Sequence, residues 1–360
     1  MRVRVLAGRP LEYGEQPLPS LASSAFMTPT DDDLPTADID TLRFRAAVLR
    51  RVRDTFDSHG YWEVQTPLLS RDICVDAWID PFELPRIGPN GESFYLQTSP
   101  EFAMKRLLAA GADAIYEVTR SFRRGEYGER HNPEFTMVEW YRIGDDHHAQ
   151  MAFTEQLVRA AAELRPDRAR RLPDNPFPKL AYDDAFKQAT GERVLEAETP
   201  QLIALARRLE ISVPQSLAPD DRDGWLNLIL AERVEPYLQT LGTVYLYDFP
   251  ASQSALAKVR GEGATAVAER FELYLDGIEM CNGYHELTDA DELRRRMQRQ
   301  SILRTQSGRE TLPTESRLLS AMARGLPPCS GVALGFDRLL MWLVGTERLA
   351  SVTAFPFGRA

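Results

Sequence analysis

Residues 119–142 constrain this chain more than any other stretch. They read Thr119-Arg-Ser-Phe-Arg-Arg-Gly-Glu-Tyr-Gly-Glu-Arg-His-Asn-Pro-Glu-Phe-Thr-Met-Val-Glu-Trp-Tyr-Arg142. Two extended runs joined by a glycine-broken polar turn define a strand–loop–strand hairpin. The arginines and the histidine collect at its tip, a layout suited to a nucleoside triphosphate. Arg123, just past the first strand, would sit over an α-phosphate. A fixed guanidinium there offsets the negative charge that builds when a carboxylate attacks phosphorus. His131 and Asn132 add donors, and Phe135 offers a flat face for adenine stacking. A solvated hairpin tip with ordinary surface arginines would account for a fragment of this string, but not for the whole.

A chain of 360 residues with 43% hydrophobic content can bury a large core in one or two domains. No apolar run approaches the roughly 20 residues of a membrane span. Three cysteines, Cys74, Cys281 and Cys329, are too few and too scattered for a disulfide framework or a zinc site. A reducing, cytoplasmic setting is the simple expectation. The net charge of −10 weakens the case for extensive nucleic-acid contact, though not for a local basic patch.

Residues 1–38 are rich in Pro, Ser, Thr and Asp and lack periodicity, which predicts a flexible arm. Order is expected to begin near Thr41. Leu42, Phe44, Val48, Leu49, Val52 and Phe56 follow helical spacing up to His59-Gly60, and residues 61–69 read as a strand with Pro67 near its end. A strand from Phe94 and a helix from Phe102 to Ala110 precede the hairpin. Residues 148–164 read as a helix. The stretch of about 165–240 mixes Pro-rich turns with short helices and reads as a helical insertion in a domain spanning 39–360. Strands follow at 244–248, 268–275 and 277–286, then a charged helix at 290–303 and a final strand–helix unit at 331–345. Consecutive strand runs separated by helices predict an α+β fold, an antiparallel sheet with helices on one side.

The final unit, Gly331-Val-Ala-Leu-Gly-Phe-Asp-Arg338, has small residues that let a strand approach a ligand closely. Arg338 then opens an apolar helix, placed to meet a terminal phosphate or a base. With the hairpin, this resembles motifs 2 and 3 of the class II aminoacyl-tRNA synthetases, closest to the lysyl type; the helix and strand around Pro67 are compatible with motif 1, the usual dimer element. The likeness covers about residues 40–360. It implies the class II catalytic fold, with ATP and Mg²⁺ as co-substrate and ion. It also implies that Glu272 and Glu279 hold the magnesium, since oxygen ligands suit that ion. Like charges on neighbouring strands otherwise repel. Glu101, Glu139 and Glu286 match positions that line the amino-acid pocket of the lysyl subclass, with Asn282 and Tyr284 between. An ammonium about 4 Å from a carboxylate gains roughly 4 kcal/mol at an effective dielectric near 20, so a diamino acid is favoured over an acidic one.

Residues 1–38 are too few and too polar for the anticodon-binding OB barrel of the lysyl enzyme, so none is expected. That truncation resembles the elongation factor P β-lysine ligases, as do His131–Arg142, Phe249–Leu256, Asn282–Asp289 and Cys329–Gly335. The resemblance implies that ATP and (R)-β-lysine form an adenylate, that a lysine ε-amine of elongation factor P attacks it, that the protein is a homodimer, and that tRNA is not the partner. Carried over by residue, Ser99, Pro100 and Glu101 match the substrate loop, and Tyr141 and Glu286 match substrate contacts. Arg123, Arg124, Gly125, Asn132, Glu279, Met280 and Gly335 match nucleotide contacts. Ala333 replaces the middle glycine of motif 3. The usual Phe-Arg-Asn-Glu of motif 2 here reads Phe122-Arg-Arg-Gly125-Glu126, so Glu126 takes the adenine-binding role after a one-residue shift, or the backbone does. Two other readings are an amino-acid-activating enzyme with another acceptor and a catalytically silent paralogue that binds a ligand.

Overall fold

A computed structural model describes residues 33–360; most of the expected N-terminal arm, residues 1–32, lies outside the described residues. Twelve strands and eleven α-helices alternate along these residues. In order they are α1 (Ile39–Ser58), β1 (Trp62–Glu63), β2 (Leu69–Ser70), β3 (Glu83–Leu84), β4 (Phe94–Leu96), α2 (Glu101–Ala109), β5 (Ala114–Phe122) and β6 (Glu134–Ile143). Then come α3 (His147–Ala162), α4 (Pro166–Ala169), β7 (Lys179–Ala181), α5 (Tyr182–Thr190), α6 (Thr199–Arg208), α7 (Arg222–Ile229) and α8 (Glu235–Leu241). The chain closes with β8 (Thr243–Pro250), β9 (Val259–Arg260), β10 (Val267–Leu275), β11 (Ile278–His285), α9 (Ala290–Gln306), α10 (Arg317–Gly325), β12 (Cys329–Gly335) and α11 (Phe336–Val344).

Order begins before Thr41. The Asp38 carboxylate caps α1 by accepting from the Thr41 N–H. The Thr36 hydroxyl donates to the Thr353 carbonyl at 2.7 Å, and Ala37 is buried. The predicted strand over 61–69 breaks into β1 and β2, because Pro67 has no N–H to donate to a ladder.

A nine-stranded sheet runs β1-β5-β6-β12-β11-β10-β8-β7, with β9 paired to β10. It is antiparallel through its centre and parallel at both ends, where β1 meets β5 and β7 meets β8. A small sheet, β2-β4-β3, stands apart. Helices cover both faces, not the one face that element order suggests. On one face α1, α3 and α11 pack over Tyr116, Val138, Trp140, Leu273 and Val332. On the other, α2, α9 and α10 cover Ile115 and Tyr141, while α5 to α8 cover Val244, Leu246 and Ala268. The central strands are therefore buried on both sides, which two-sided cover demands. The stretch of 165–240 also gives the sheet its edge strand β7, so it is more than a helical addition.

On the second face a trough of small and polar residues, in place of apolar ones, runs between the cluster under α2, α9 and α10 and the cluster under α5 to α8. Gly331 explains part of it. A Cβ there would lie 2.2 Å from the Tyr141 ring and 2.7 Å from Glu286 Oε1, so this glycine lets two pocket side chains close over the strand.

Candidate active site

The ladder registers lay two rows of side chains across the trough. Glu139 pairs with Ala333, Ala333 with Asn282, and Asn282 with Glu272. The next row is Tyr141, Gly331, Tyr284 and Arg270. With strands about 4.8 Å apart, each row spans about 14 Å. Small residues on β12 form the floor, and polar side chains from β6, β11 and β10 form the walls.

One end of the trough, where the expected amino-acid residues lie, is acidic and dry. Glu139 accepts from the Tyr141 hydroxyl at 2.6 Å and from Ser99 Oγ at 2.8 Å. The Glu101 N–H donates to Ser99 Oγ, so the turn through Pro100 presents Ser99 and Glu101 together at the start of α2. Burial, reinforced by the Glu101 charge, pushes the Glu139 carboxyl up to about 8. Burial likewise raises Glu286 to about 8, against the pull of a nearby lysine. That lysine is Lys105, which sequence reasoning missed. Its ammonium is buried and stands 2.5 Å from Glu101 and 2.5 Å from Glu286. Burial alone would discharge it, but the two carboxylates hold it firmly protonated. Glu286 Oε1 has no hydrogen-bond partner. The Glu-to-Lys spacing of one helical turn on α2 was the legible signal.

The expected nucleotide residues lie at a cleft of about 310 Å³, open to solvent, lined by Glu126, Arg130, His131, Phe135, Gly335 and Arg338, among others. Arg338 donates to the Glu279 carbonyl at 3.0 Å, and its guanidinium lies 3.0 Å from His131 Nε2. The Arg123 guanidinium lies 5.0 Å from the Phe135 ring centre and 3.6 Å from Glu126, and one of its terminal nitrogens has no hydrogen-bond partner. Burial raises the Glu126 carboxyl, while Arg123 and Arg338 oppose the shift. Arg123, Phe135, Gly335 and Arg338 thus converge. Glu126 joins them and can take the place of the missing motif 2 acid; Gly125, at φ 84, makes the turn that delivers it.

Several expected contacts look different in the fold. The Asn132 side chain is spent on backbone, donating to the Glu134 carbonyl at 2.6 Å and accepting from the Phe357 N–H at 2.9 Å. Arg124 is half exposed and pairs with Glu310. The Met280 side chain is buried in the core, so only its backbone could serve the expected nucleotide contact. This residue is also the extra one in a β-bulge: Tyr274 pairs with Glu279 and Leu273 with Cys281. The bulge restores the phase of the strand, putting Glu279 on the trough face with Asn282 and Glu272.

The acidic pair needs a correction. Cross-strand repulsion does not require a metal between Glu272 and Glu279, because Glu272 is already neutralised. Arg270 pairs with it at 2.5 Å and the Tyr274 hydroxyl donates to it at 2.8 Å. Arg270, fully buried, also donates to Asn282 Oδ1 at 3.1 Å. Sequence reasoning passed over Arg270, although its two-residue offset from Glu272 puts both on one face. Glu279 Oε1 is buried without a hydrogen-bond partner. All these ligands are oxygens, so the pair fits Mg²⁺ on that ground.

These elements define the catalytic domain of a class II synthetase: a mixed, mostly antiparallel sheet with an arginine-bearing cleft and a buried carboxylate cluster on one face. The family model for class II tRNA synthetases (D, K and N) matches residues 36–359. The elongation factor P–(R)-β-lysine ligase of Vibrio cholerae serotype O1 is 41% identical over 335 residues, covering 91% of this chain and 99% of its own. The ligases of that name from Salmonella paratyphi B and Salmonella schwarzengrund are each 41% identical over 329 residues, covering 91% of this chain and 98% of theirs. The chain belongs to the class II synthetase family and, within it, to the elongation factor P–(R)-β-lysine ligases.

Proposed function

We propose that this chain activates (R)-β-lysine with ATP and joins it to a lysine ε-amine of elongation factor P. The observation that carries the reading is the set Glu101, Glu139 and Glu286, the last two buried and the first partly exposed, along the same sheet face from the Arg123–Arg338 cleft. A diamino acid held by its amines in this set can direct its carboxylate toward that cleft. The carboxylate oxygen attacks the α-phosphorus, the bond to the bridging oxygen breaks, and pyrophosphate leaves. Arg123 meets the charge that develops on the α-phosphate, and Arg338 and Phe135 bracket the base. Glu272 and Glu279 are the residues that would hold Mg²⁺, which when bound compensates the charge of the phosphates. The acceptor amine then attacks the adenylate carbonyl, AMP departs with the bonding pair, and the amine sheds a proton to give the amide. The Ala333 methyl narrows the trough floor between Glu139 and Asn282, which favours a substrate whose amine is displaced from the α position.

A homodimer belongs to this proposal, and light scattering on the purified chain tests it. No helix among the described residues is long and apolar enough to cross a membrane. The decisive experiment is mass spectrometry of elongation factor P after incubation with the chain, ATP, Mg²⁺ and either (R)-β-lysine or α-lysine. One added lysyl unit on a single lysine, formed faster from the β isomer, is expected. Pyrophosphate release without that mass gain would move the reading to a different acceptor. No release with any amino acid would make the chain a silent paralogue.

A further inference from the structure

Behind the trough, on the α3 face of the sheet, four side chains converge that the activation chemistry does not use. His147 opens α3 and is 3% exposed, yet neither of its ring nitrogens has a hydrogen-bond partner. His285 ends β11, and its Nδ1 lies 2.5 Å from the Glu269 carboxylate on β10. One ligand atom from each of His147, Glu269 and His285 lies within 4.8 Å of the others. Asp248 Oδ1, at the far end of β8, is 3.8 Å from His147 Nε2 and also has no hydrogen-bond partner. Asp248 adopts φ 58, a backbone region that non-glycine residues seldom hold without a reason in their surroundings.

A histidine with two idle nitrogens in a dry site is costly, since a buried polar group without a partner forfeits its hydration. It faces another histidine and two carboxylates on three neighbouring elements. We propose that His147, His285, Glu269 and Asp248 form a binding site for a divalent transition metal of the zinc type. Two imidazoles and two carboxylates are a four-ligand set of the kind zinc takes, and imidazole nitrogen disfavours magnesium or calcium there. Arg260 stands at the rim, paired with Asp248 and 3.7 Å from Glu269, contacts that a bound ion would compete with. His285, Glu269 and Asp248 keep some exposure, so the site has an entrance. His285 directly precedes Glu286. A bound ion would tie α3 and β8 to the strand end that carries that pocket carboxylate, which makes this a structural site and not a reacting centre.

The test uses the untagged full chain, stripped with a chelator and titrated with Zn²⁺ and, in parallel, with Co²⁺. Expected are one ion per chain by elemental analysis, the visible bands of four-coordinate Co²⁺, and a thermal midpoint that rises with Zn²⁺ concentration. His147→Gln and His285→Gln should each weaken binding by more than the about 10- to 100-fold typical of losing an outer partner of a ligand. His148→Ala, next to the site, should leave affinity unchanged. If one variant fails to fold, the other and the Co²⁺ spectrum of the parent still decide. Absence of a stoichiometric ion, an octahedral Co²⁺ spectrum, or binding unchanged in a folded His147→Gln or His285→Gln chain would overturn the site.

Discussion

Lys105 is the residue whose removal should be most revealing. Its ammonium sits 2.5 Å from both Glu101 and Glu286 in a buried site, and Glu139 lies close enough for the Glu101 charge to raise it. Lys105→Met keeps the length of the side chain and deletes the cation that pairs with Glu101 and Glu286. Losing one partner of a buried ion pair costs about 3–5 kcal/mol, because the remaining charge stays dry and uncompensated. The variant has an escape, which is to keep a proton on a carboxylate. In the parent, burial already raises Glu139 and Glu286 to about 8. A folded-state pKa raised this way makes the native state hold protons that the unfolded chain has released. Stability therefore falls as pH climbs from the ordinary glutamate range to about 8. Without Lys105 these carboxylates hold their protons to higher pH still. The native variant then carries up to one more proton than the native parent, so the stability gap widens by up to about 1.4 kcal/mol per pH unit. Urea denaturation at pH 6, 7.5 and 9, followed by tryptophan fluorescence, to which buried Trp140, Trp225 and Trp342 contribute, measures it. A small loss at pH 6 growing toward about 3–5 kcal/mol at pH 9 is expected. A loss of the same size at all three pH values would mean that Lys105 acts by packing and not by charge. No loss at pH 9 would refute the ion-pair account.

Glu286→Gln should abolish measurable binding of (R)-β-lysine in a calorimetric titration while leaving ATP binding largely intact; unchanged amino-acid affinity would remove Glu286 from the pocket. Arg123→Ala should slow pyrophosphate release by about 10²-fold or more, the size of one lost transition-state charge contact, and a near-normal rate would place Arg123 outside the chemistry. Gly331→Ala drives a methyl into the Tyr141 ring, so it should cost about 1–3 kcal/mol in urea denaturation and weaken (R)-β-lysine binding. Parental stability and affinity would show that Tyr141 can step aside.

Much of the cleft was legible in the string. The hairpin tip, Phe135, Gly335 and Arg338 belong to local motifs whose residue types suit phosphate and base, and Arg130, His131, Phe135, Gly335 and Arg338 line one cleft. Helices α1, α2, α3, α9 and α11 were readable within a few residues, because helical periodicity and glycine stops are local. The amino-acid pocket was legible only as a set of glutamates. That Glu101 and Glu286, far apart in the chain, share one lysine follows from α2 docking on the sheet and appears nowhere in local spacing. Asn132 and Arg124 show the converse: a motif names the residue, but neighbours such as Phe357 and Glu310 decide where its polar atoms are spent.

By itself, then, the sequence determined the element types, the hairpin and the chemistry available, since backbone preference and periodicity act over a few residues. Tertiary structure decided the rest. Ladder register aligned Glu139, Ala333, Asn282 and Glu272 into one row, and a single bulged residue, Met280, turned Glu279 onto that row's face. Helices on both faces then dried the trough, and dryness is what raises Glu139 and Glu286 and keeps Lys105 charged between Glu101 and Glu286. Register and burial are sums over distant contacts, and no local window of the chain contains them.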